Sequence, residues 1–361
     1  MFKRIKTWWE RYERRLSATA FVVGFLFDNL TLQQVDRLSD NLILALYLIV
    51  ALCAVLFLNT EHARGSEGAP PSRWRAFPEF LLPFALGGLF SGFLIFYSRS
   101  GSLLASAPFL LILFLLFVGN EFLRRHYQRF IFQLCVLFVT LFSYSVLVVP
   151  VVLRRMGDGI FLLSGVVALA LFSLFLEALK RVNAEEFQNS RRVLLPVVVM
   201  IYILFNFLYF NNMIPPIPLS LKEVGVYHAI ERTRSGAYLL SYEAPRWYEF
   251  GDVTSATLHI VPGESVLGLS SVYAPAALTT DIVHRFEYFD TAGREWRVAT
   301  EVRFPISGGR LEGFRGYSQK DAITEGRWRL SVETERGQVI GRFAFTVIFA
   351  SSTPPLETVA R

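Results

Sequence analysis

The sequence is poor in cysteine. It contains two cysteines among 361 residues, Cys53 and Cys135, and both fall within long apolar runs. The C-terminal part of the chain contains no cysteine, so disulfide bonds do not stabilise it, whatever compartment it faces. We therefore expect both cysteines to act as small apolar side chains.

Charged residues are also scarce, at 18% of the chain, and they are unevenly distributed. From Met213 to the C-terminus there are 16 Lys and Arg against 17 Asp and Glu, whereas the preceding residues hold 20 against 13. The excess of basic residues lies in short segments between apolar runs, where such residues direct membrane insertion. The pI of about 9.4 is therefore not a sign of nucleic-acid binding, and we expect no nucleic-acid partner.

Motifs of the common catalytic sites are missing. The sequence has no P-loop and no dinucleotide-binding fingerprint, and Ser270 and Ser271 lack the G-x-S-x-G pattern of a nucleophile elbow. His228, His259 and His284 are far apart in the sequence, with no histidine four residues away and no cysteine to complete a zinc site. We therefore expect no catalytic residue, no metal and no cofactor.

Long apolar runs dominate the first 210 residues, within a chain that is 53% hydrophobic with a mean hydropathy of +0.41. A helix needs about 20 apolar residues to cross a bilayer. Six runs approach this length: 41–59, 78–97, 103–119, 130–153, 159–179 and 193–210. A seventh, 17–27, is shorter and lacks a signal-peptide cleavage site, so it is predicted to be an uncleaved first helix. Gly88 and Gly92 form a GxxxG pattern that predicts close helix packing.

The loop charges favour seven spans in residues 17–210. With the N-terminus inside, the cytoplasmic segments hold 16 Lys and Arg and the outer loops hold 4, whereas six spans would give an even split. This places residues 211–361 on the extracytoplasmic side of a bacterial inner membrane. In residues 1–16 the apolar and aromatic side chains fall near one face of a helix and basic side chains surround that face, which predicts an amphipathic helix on the cytoplasmic leaflet.

Four carboxylates lie within or beside the apolar runs, and they are the candidate intramembrane polar residues: Asp28, Glu79, Glu121 and Glu177. Ionisable side chains inside a membrane often mark a transport or proton pathway. Each of these four lies near the end of a run, however. Asp28 also fits a helix N-cap, and Glu177 fits an ion pair with Lys180 or Arg181.

Residues 222–350 show the period-two alternation of β-strands. Apolar side chains alternate with charged ones in 294–304 and 326–333, and one apolar face recurs in 339–349. Glycine-containing turns separate these runs, which predicts an all-β sandwich of immunoglobulin-like type. Residues 211–221 form a proline-rich junction expected to hold this domain close to the membrane, and 351–361 are predicted to be a C-terminal tail.

Four sequence elements resemble the bacterial domain of unknown function 2914. They are His284-Arg-Phe, GRLEGFRGYSQK at 309–320, EGRWRLSV at 325–332 and GQVIGRFAFTV at 337–347. The resemblance covers about 140 residues, and Phe286 departs from it because a tryptophan is expected there. It implies a β-rich envelope domain in a membrane-anchored protein. The family has no established activity, so the resemblance assigns no catalytic residue.

One run of this domain has the chemistry of a binding surface. Arg315, Tyr317 and Gln319 alternate and therefore share one face of a strand. A planar guanidinium beside an aromatic ring suits a sugar, a carboxylate or a phosphate, although an exposed sheet face with cross-strand charge pairs has the same pattern. His284 and Arg285 complete the candidate binding residues.

Three functional classes remain. The favoured one is a non-enzymatic envelope membrane protein whose outer β-domain binds a ligand or partner and is anchored by the helical bundle. The alternatives are a transporter or lipid-handling protein, which needs ionisable residues that meet inside the bundle, and a membrane enzyme, which needs acidic or histidine residues that converge at the outer interface. The expected partners are the lipid bilayer and an envelope glycan, lipid or protein.

Overall fold

The computed structural model describes residues 23–66, 76–122, 126–127, 129–234, 236–245, 254–276 and 278–361. The chain forms two compact units. The first comprises Met1–Phe96, Leu110–Val149 and Phe161–Asn206, and the second comprises Tyr97–Phe109, Pro150–Ile160 and Phe207–Arg361. The predicted basic tail, 1–16, and the first part of the predicted segment 17–27 lie outside the described residues.

Seven helices cover the N-terminal part of the described chain. They are α1 (23–31), α2 (Leu38–Ser66), α3 (Ala76–Arg99), α4 (Ala107–Phe122), α5 (Phe130–Leu153), α6 (Asp158–Val182) and α7 (Ala184–Phe210). Five of them, α2, α3, α5, α6 and α7, are long and apolar enough to cross a membrane. The apolar part of α4, Ala107–Asn120, is shorter. At 1.5 Å per residue it spans about 21 Å, less than the roughly 30 Å of a bilayer core.

The helices carry apolar side chains on their exposed surface as well as between them. Leu174 and Met200, for example, are 71% and 63% exposed. The predicted GxxxG packing is confirmed: a Cβ on Gly88 would lie 2.7 Å from the Tyr47 ring, and one on Gly92 would lie 2.6 Å from Leu44. The missing side chains therefore let α2 approach α3 closely.

In the described residues of the C-terminal part of the chain, eleven strands form three sheets. The strands are β1 (Ser220–Tyr227), β2 (Ala229–Arg232), β3 (Tyr238–Tyr242), β4 (Thr257–Ile260), β5 (Val266–Tyr273), β6 (Thr279–Asp290), β7 (Glu295–Ser307), β8 (Phe314–Lys320), β9 (Gly326–Thr334), β10 (Val339–Phe349) and β11 (Glu357–Ala360). The sheet orders are β1-β5-β8, β4-β10-β9-β6-β7 and β11-β3-β2. Strand β4 is parallel to β10, and the other neighbours are antiparallel.

The first two sheets pack face to face as a β-sandwich. Their inward side chains form the core clusters, which include Val226, Phe286, Trp328, Leu330 and Phe345. The predicted alternation places these apolar residues inward and their charged neighbours outward.

The third, small sheet covers the outer face of the β1-β5-β8 sheet through a cluster around Tyr227, Leu240 and Leu269. Strand β11 belongs to this small sheet, where Glu357 is paired with Tyr242. The β-domain therefore extends into the segment that was predicted to be a tail, because the backbone of β11 completes the edge of β3.

The proline-rich junction is packed rather than extended. Residues 214–219 are buried, and the Gln338 side-chain amide donates a hydrogen bond to the carbonyl of Ile214 at 3.1 Å. Strand β1 begins at Ser220, inside the predicted junction. The segment that leaves α7 is therefore integrated into the same compact unit as the β-domain.

Candidate ligand-binding site

Strand β8 is the edge of the β1-β5-β8 sheet, and its small residues face inward. A Cβ on Gly316 would lie 2.2 Å from the Phe304 ring, and Ser318 is hydrogen-bonded to His284. Because side chains alternate along a strand, this packing directs Arg315, Tyr317 and Gln319 outward. The structure therefore brings these three predicted residues onto one face of β8, as their spacing indicated.

Arg315 is half-buried, and its Nε is buried without a hydrogen-bond partner in the described part of the chain. A buried donor that lacks an acceptor is unfavourable by roughly 1–3 kcal/mol. An oxygen supplied by a ligand would remove this cost. The guanidinium thus has one donor that no acceptor in the described residues satisfies.

Tyr317 and Tyr238 form an aromatic pair next to Arg315. Their ring centroids are 6.0 Å apart at 69°, and Tyr317 is 48% exposed. Tyr238 is held by backbone hydrogen bonds to Arg361 in both directions, at 2.8 Å each. Gln319 is anchored differently, because its amide donates to Ser265 and Asp321. The sequence did not identify Tyr238, which is 79 positions from Tyr317 and on another sheet.

His284 lies behind this face, inside the sandwich. Its ring nitrogens are 2.7 Å from the hydroxyls of Ser270 and Ser318, and it has no exposed surface. Burial lowers the pKa of His284 from its ordinary 6.5 to about 4, so the ring is neutral near pH 7. The prediction that His284 belongs to the binding face is therefore corrected: its role in this structure is to hold β8 from inside.

Arg285 lies on a different surface, the outer face of the five-stranded sheet. It forms ion pairs with Glu301 at 2.8 Å and Glu333 at 3.1 Å. Successive residues of β6 point to opposite faces, so His284 and Arg285 cannot join one site. The structure does not bring Arg285 to the outward face of β8.

Two of the candidate intramembrane carboxylates, Asp28 and Glu79, lie at different levels of α3. Asp28 lies near Ser91 of α3, whereas Glu79 is in the first turn of that helix. Ser91 and Glu79 are twelve residues, or about 18 Å, apart along α3. Glu177 is exposed and forms the predicted pair with Lys180, at 3.7 Å. The side chain of Glu121 lies outside the described residues.

Two histidines that are distant in sequence meet at one carboxylate. Glu243 lies 3.0 Å from Nε2 of His228 and 2.7 Å from Nδ1 of His259. Burial alone would raise the pKa of Glu243, but the hydrogen bonds from the two histidines outweigh burial and keep it below its ordinary value. This cluster connects the small sheet to β4. No group of three or more His, Cys, Asp or Glu in the described residues has metal-binding geometry.

A second cluster that the sequence did not indicate surrounds Arg336, in the turn between β9 and β10. Its guanidinium donates to Asp158, to Asn212 at 3.1 Å and to the carbonyl of Phe210 at 3.3 Å. It also lies 4.5 Å from the ring of Tyr209. A cation at the C-terminal carbonyls of a helix is favourable, so Arg336 secures the end of α7 within this unit.

One protein family matches part of the chain. Residues 279–347 match the model of a family described as a protein of unknown function, DUF2914. This stretch includes β6 to β9 and most of β10, and therefore the whole of β8. No curated protein matches the chain.

Two solved structures are similar at low identity. One is an immunoglobulin-like protein from Pseudomonas aeruginosa, with 13% identity, a TM-score of 0.18, and coverage of 35% of this chain and 97% of that one. The other is the Pseudomonas fluorescens alkylpurine DNA glycosylase AlkC bound to DNA, with 12% identity, a TM-score of 0.21, and coverage of 88% and 100%. TM-scores this low carry no argument about function.

Proposed function

We propose that this chain is a multi-pass bacterial inner-membrane protein whose β-domain lies on the extracytoplasmic side and binds an anionic, glycan-bearing component of the envelope. In this proposal the helical bundle spans the membrane seven times and anchors the domain. The face formed by Arg315, Tyr317 and Tyr238 contacts the ligand.

The observation that carries the proposal is the unpartnered Nε of Arg315. Six other arginines of the domain form ion pairs, namely Arg285, Arg297, Arg303, Arg329, Arg336 and Arg361. Arg315 has no such partner in the described chain, yet it is half-buried. A carboxylate or phosphate accepts paired hydrogen bonds from a guanidinium, which would satisfy this donor.

The neighbouring tyrosines favour a sugar as the carrier of that anionic group. A sugar ring presents C–H bonds that pack on an exposed aromatic face and hydroxyls that bond to a phenol oxygen. Tyr317 is exposed beside the arginine and Tyr238 supports it edge-on. The separation of Asp28 from Glu79 along α3 lends less support to a transporter.

The proposed orientation predicts the outcome of reporter fusions. Alkaline phosphatase fused after Asn212 should be active, because the seven-span arrangement places this position outside. A fluorescent protein fused within 180–192 should fold and fluoresce on the cytoplasmic side. If the phosphatase is inactive after Asn212, or if both positions report the same side, the seven-span orientation is wrong.

The binding proposal is tested with the full chain in lipid nanodiscs. The probes are immobilised oligosaccharides that end in a hexuronate or a hexose phosphate, with a neutral hexose as reference. Arg315→Ala should weaken binding about 30-fold, as expected for the loss of roughly 2 kcal/mol at a central arginine, and Tyr317→Ala should also weaken it.

The matched control is Arg303→Ala, since Arg303 is an exposed arginine of the same domain that pairs only with Glu335 among the described residues. It should leave both binding and thermal stability nearly unchanged. Equal binding by wild type and Arg315→Ala, with the fold intact, would show that the binding surface lies elsewhere.

A further inference from the structure

Three loops of the second unit meet at one end of the β-sandwich. The amide of Ser102, between α3 and α4, donates to the carbonyl of Val339 at 3.0 Å. Met156, between α5 and α6, packs against the core cluster that contains Leu219 and Ile340. The loop 308–313 attaches to the same cluster through a hydrogen bond from Gly308 to Leu278 at 2.9 Å.

This end of the sandwich is also the end at which the chain enters from the helices. Ser220, the first residue of β1, is paired with Tyr273, and the adjacent Val272 is paired with Phe314. Loop 308–313 immediately precedes Phe314. It therefore lies at the same end of this sheet as the start of β1, with β5 between the two strands. Strand β1 itself starts only ten residues after α7 ends at Phe210.

Loop 308–313 has a fixed conformation that displays Leu311. A Cβ on Gly308 would lie 1.8 Å from the carbonyl oxygen of Pro275, so this position tolerates only glycine without a backbone shift. Gly313 has a φ of +84°, which also favours glycine. Leu311 is 69% exposed, although the backbone on both sides of it is held against the sandwich.

The loop between α3 and α4, and the last turn of α5 before the other loop, expose apolar side chains in the same unit. Leu103 and Leu104 are 62% and 86% exposed, and Val152 and Leu153 are 69% and 43% exposed. A single exposed leucine is ordinary, but several at one end of a domain indicate an apolar contact. Leu103 and Leu104 lie between α3 and α4, and Val152 and Leu153 belong to the last turn of α5, so these side chains are placed at helix ends.

Cations accompany the exposed leucines. Arg154 and Arg155 are exposed next to Leu153, and the guanidinium of Arg310 lies 5.4 Å from the Phe314 ring, beside Leu311. Leucines flanked by arginines match a membrane interface, where acyl chains take up the apolar groups and headgroup phosphates attract the cations. A membrane surface explains why these side chains lie at helix ends, whereas a protein partner could bind anywhere on the domain.

We propose that loop 308–313 is a membrane-contact loop, in which Leu311 inserts among the lipid acyl chains of the adjacent leaflet and Arg310 pairs with headgroup phosphates. This inference rests on the proposed membrane location of the helices but not on the ligand site at Arg315. The loop gives the β-domain a lipid contact in addition to the covalent connection through α7.

The test places a fluorescent probe at Leu311 in the full chain. Cys53 and Cys135 are the only cysteines, so Cys53→Ala with Cys135→Ala provides a cysteine-free background. Leu311→Cys is labelled with an environment-sensitive fluorophore, and the protein is placed in nanodiscs that contain phosphatidylcholine spin-labelled near the headgroup. We expect at least twofold stronger lipid quenching at 311 than at the control position.

The control is Val298→Cys, because Val298 is also an exposed apolar residue of the β-domain, at 51%. Val298 lies on β7, nine residues before Ser307. It is therefore about 30 Å along the strand from the end at which loop 308–313 begins. Equal quenching at 298 and 311, or protection of 311 by a second copy of the chain without lipid quenching, would overturn the proposal. Resistance of both labelled variants to protease verifies that the domain is folded.

Arg310→Glu tests the second half of the proposal. The reversed charge should repel the headgroup phosphates and lower the quenching at 311, with a larger decrease in nanodiscs that contain phosphatidylglycerol. Unchanged quenching would show that Arg310 does not contact lipid. Because no ligand is present, these outcomes are independent of whether Arg315 binds an envelope glycan.

Discussion

We expect Arg329→Met to lower the free energy of unfolding of the β-domain by about 3 kcal/mol. Arg329 donates two hydrogen bonds to Glu287, at 2.5 and 2.8 Å, and the Glu287 side chain is only 8% exposed. Burial alone would raise the pKa of Glu287, but hydrogen bonds and charge from Arg329, with Ser331 and Arg342, keep it below its ordinary value. Removal of the arginine leaves a buried carboxylate without its main partner.

The control for this prediction is another arginine–glutamate pair, which lies at the surface of the same domain. Arg303 donates to Glu335 at 2.6 Å, but both side chains are more than half exposed. Arg303→Met should therefore cost less than about 1 kcal/mol. Adding Glu287→Leu to Arg329→Met should recover most of the lost stability, because an apolar pair replaces the unpaired charge.

Pulse proteolysis of the full chain in detergent, over a range of urea concentrations, measures these differences through the amount of intact β-domain. Equal losses of stability for Arg329→Met and Arg303→Met would show that water or Arg342 satisfies the Glu287 carboxylate as well as Arg329 does.

His284 should make the β-domain sensitive to acid well above the ordinary pKa of carboxylates. The folded state keeps this ring neutral down to about pH 4, whereas the unfolded chain takes up a proton below about pH 6.5. The stabilising contribution is therefore complete above pH 6.5 and is lost as the pH falls towards 4. Linkage gives a loss of about 2 kcal/mol between pH 7.5 and pH 5.

The variant that isolates this effect is His284→Gln, because glutamine can bond to Ser270 and Ser318 but does not titrate. Glu243 and Glu287, whose pKa values are also lowered, contribute acid sensitivity to both proteins and cancel in the comparison. The wild type should lose about 2 kcal/mol more than the variant when urea unfolding is repeated at pH 7.5 and pH 5. Equal losses would show that the buried ring is protonated in the folded state.

The elements that the sequence predicted well are those set by local patterns. Five of the six longer apolar runs lie within one helix each, because a long apolar segment can bury its backbone polar groups only as a helix in a membrane. The sixth run, 103–119, begins four residues before α4, in a turn. Alternation predicted β7, β9 and β10, and the inward Gly316 and Ser318 explain why β8 presents Arg315 and Tyr317 on one face.

The features that the sequence did not predict depend on contacts between distant positions. Glu243 meets His228 and His259, and Arg336 meets Asp158 although 178 positions separate them. A strand as short as β11 has too few residues to show an alternation. Its position follows from the free edge of β3, which is visible only in three dimensions.

The measurement that tests the proposed function most directly is photo-crosslinking in living cells. Tyr317 is replaced by the photoreactive residue p-benzoylphenylalanine in the full chain, and the same replacement at Val298 serves as the control. We expect an adduct from position 317, none from 298, and loss of the adduct when Arg315→Ala is added. An adduct from 317 that survives Arg315→Ala, or the absence of any adduct from a correctly folded protein, would show that this face does not bind an envelope ligand through Arg315.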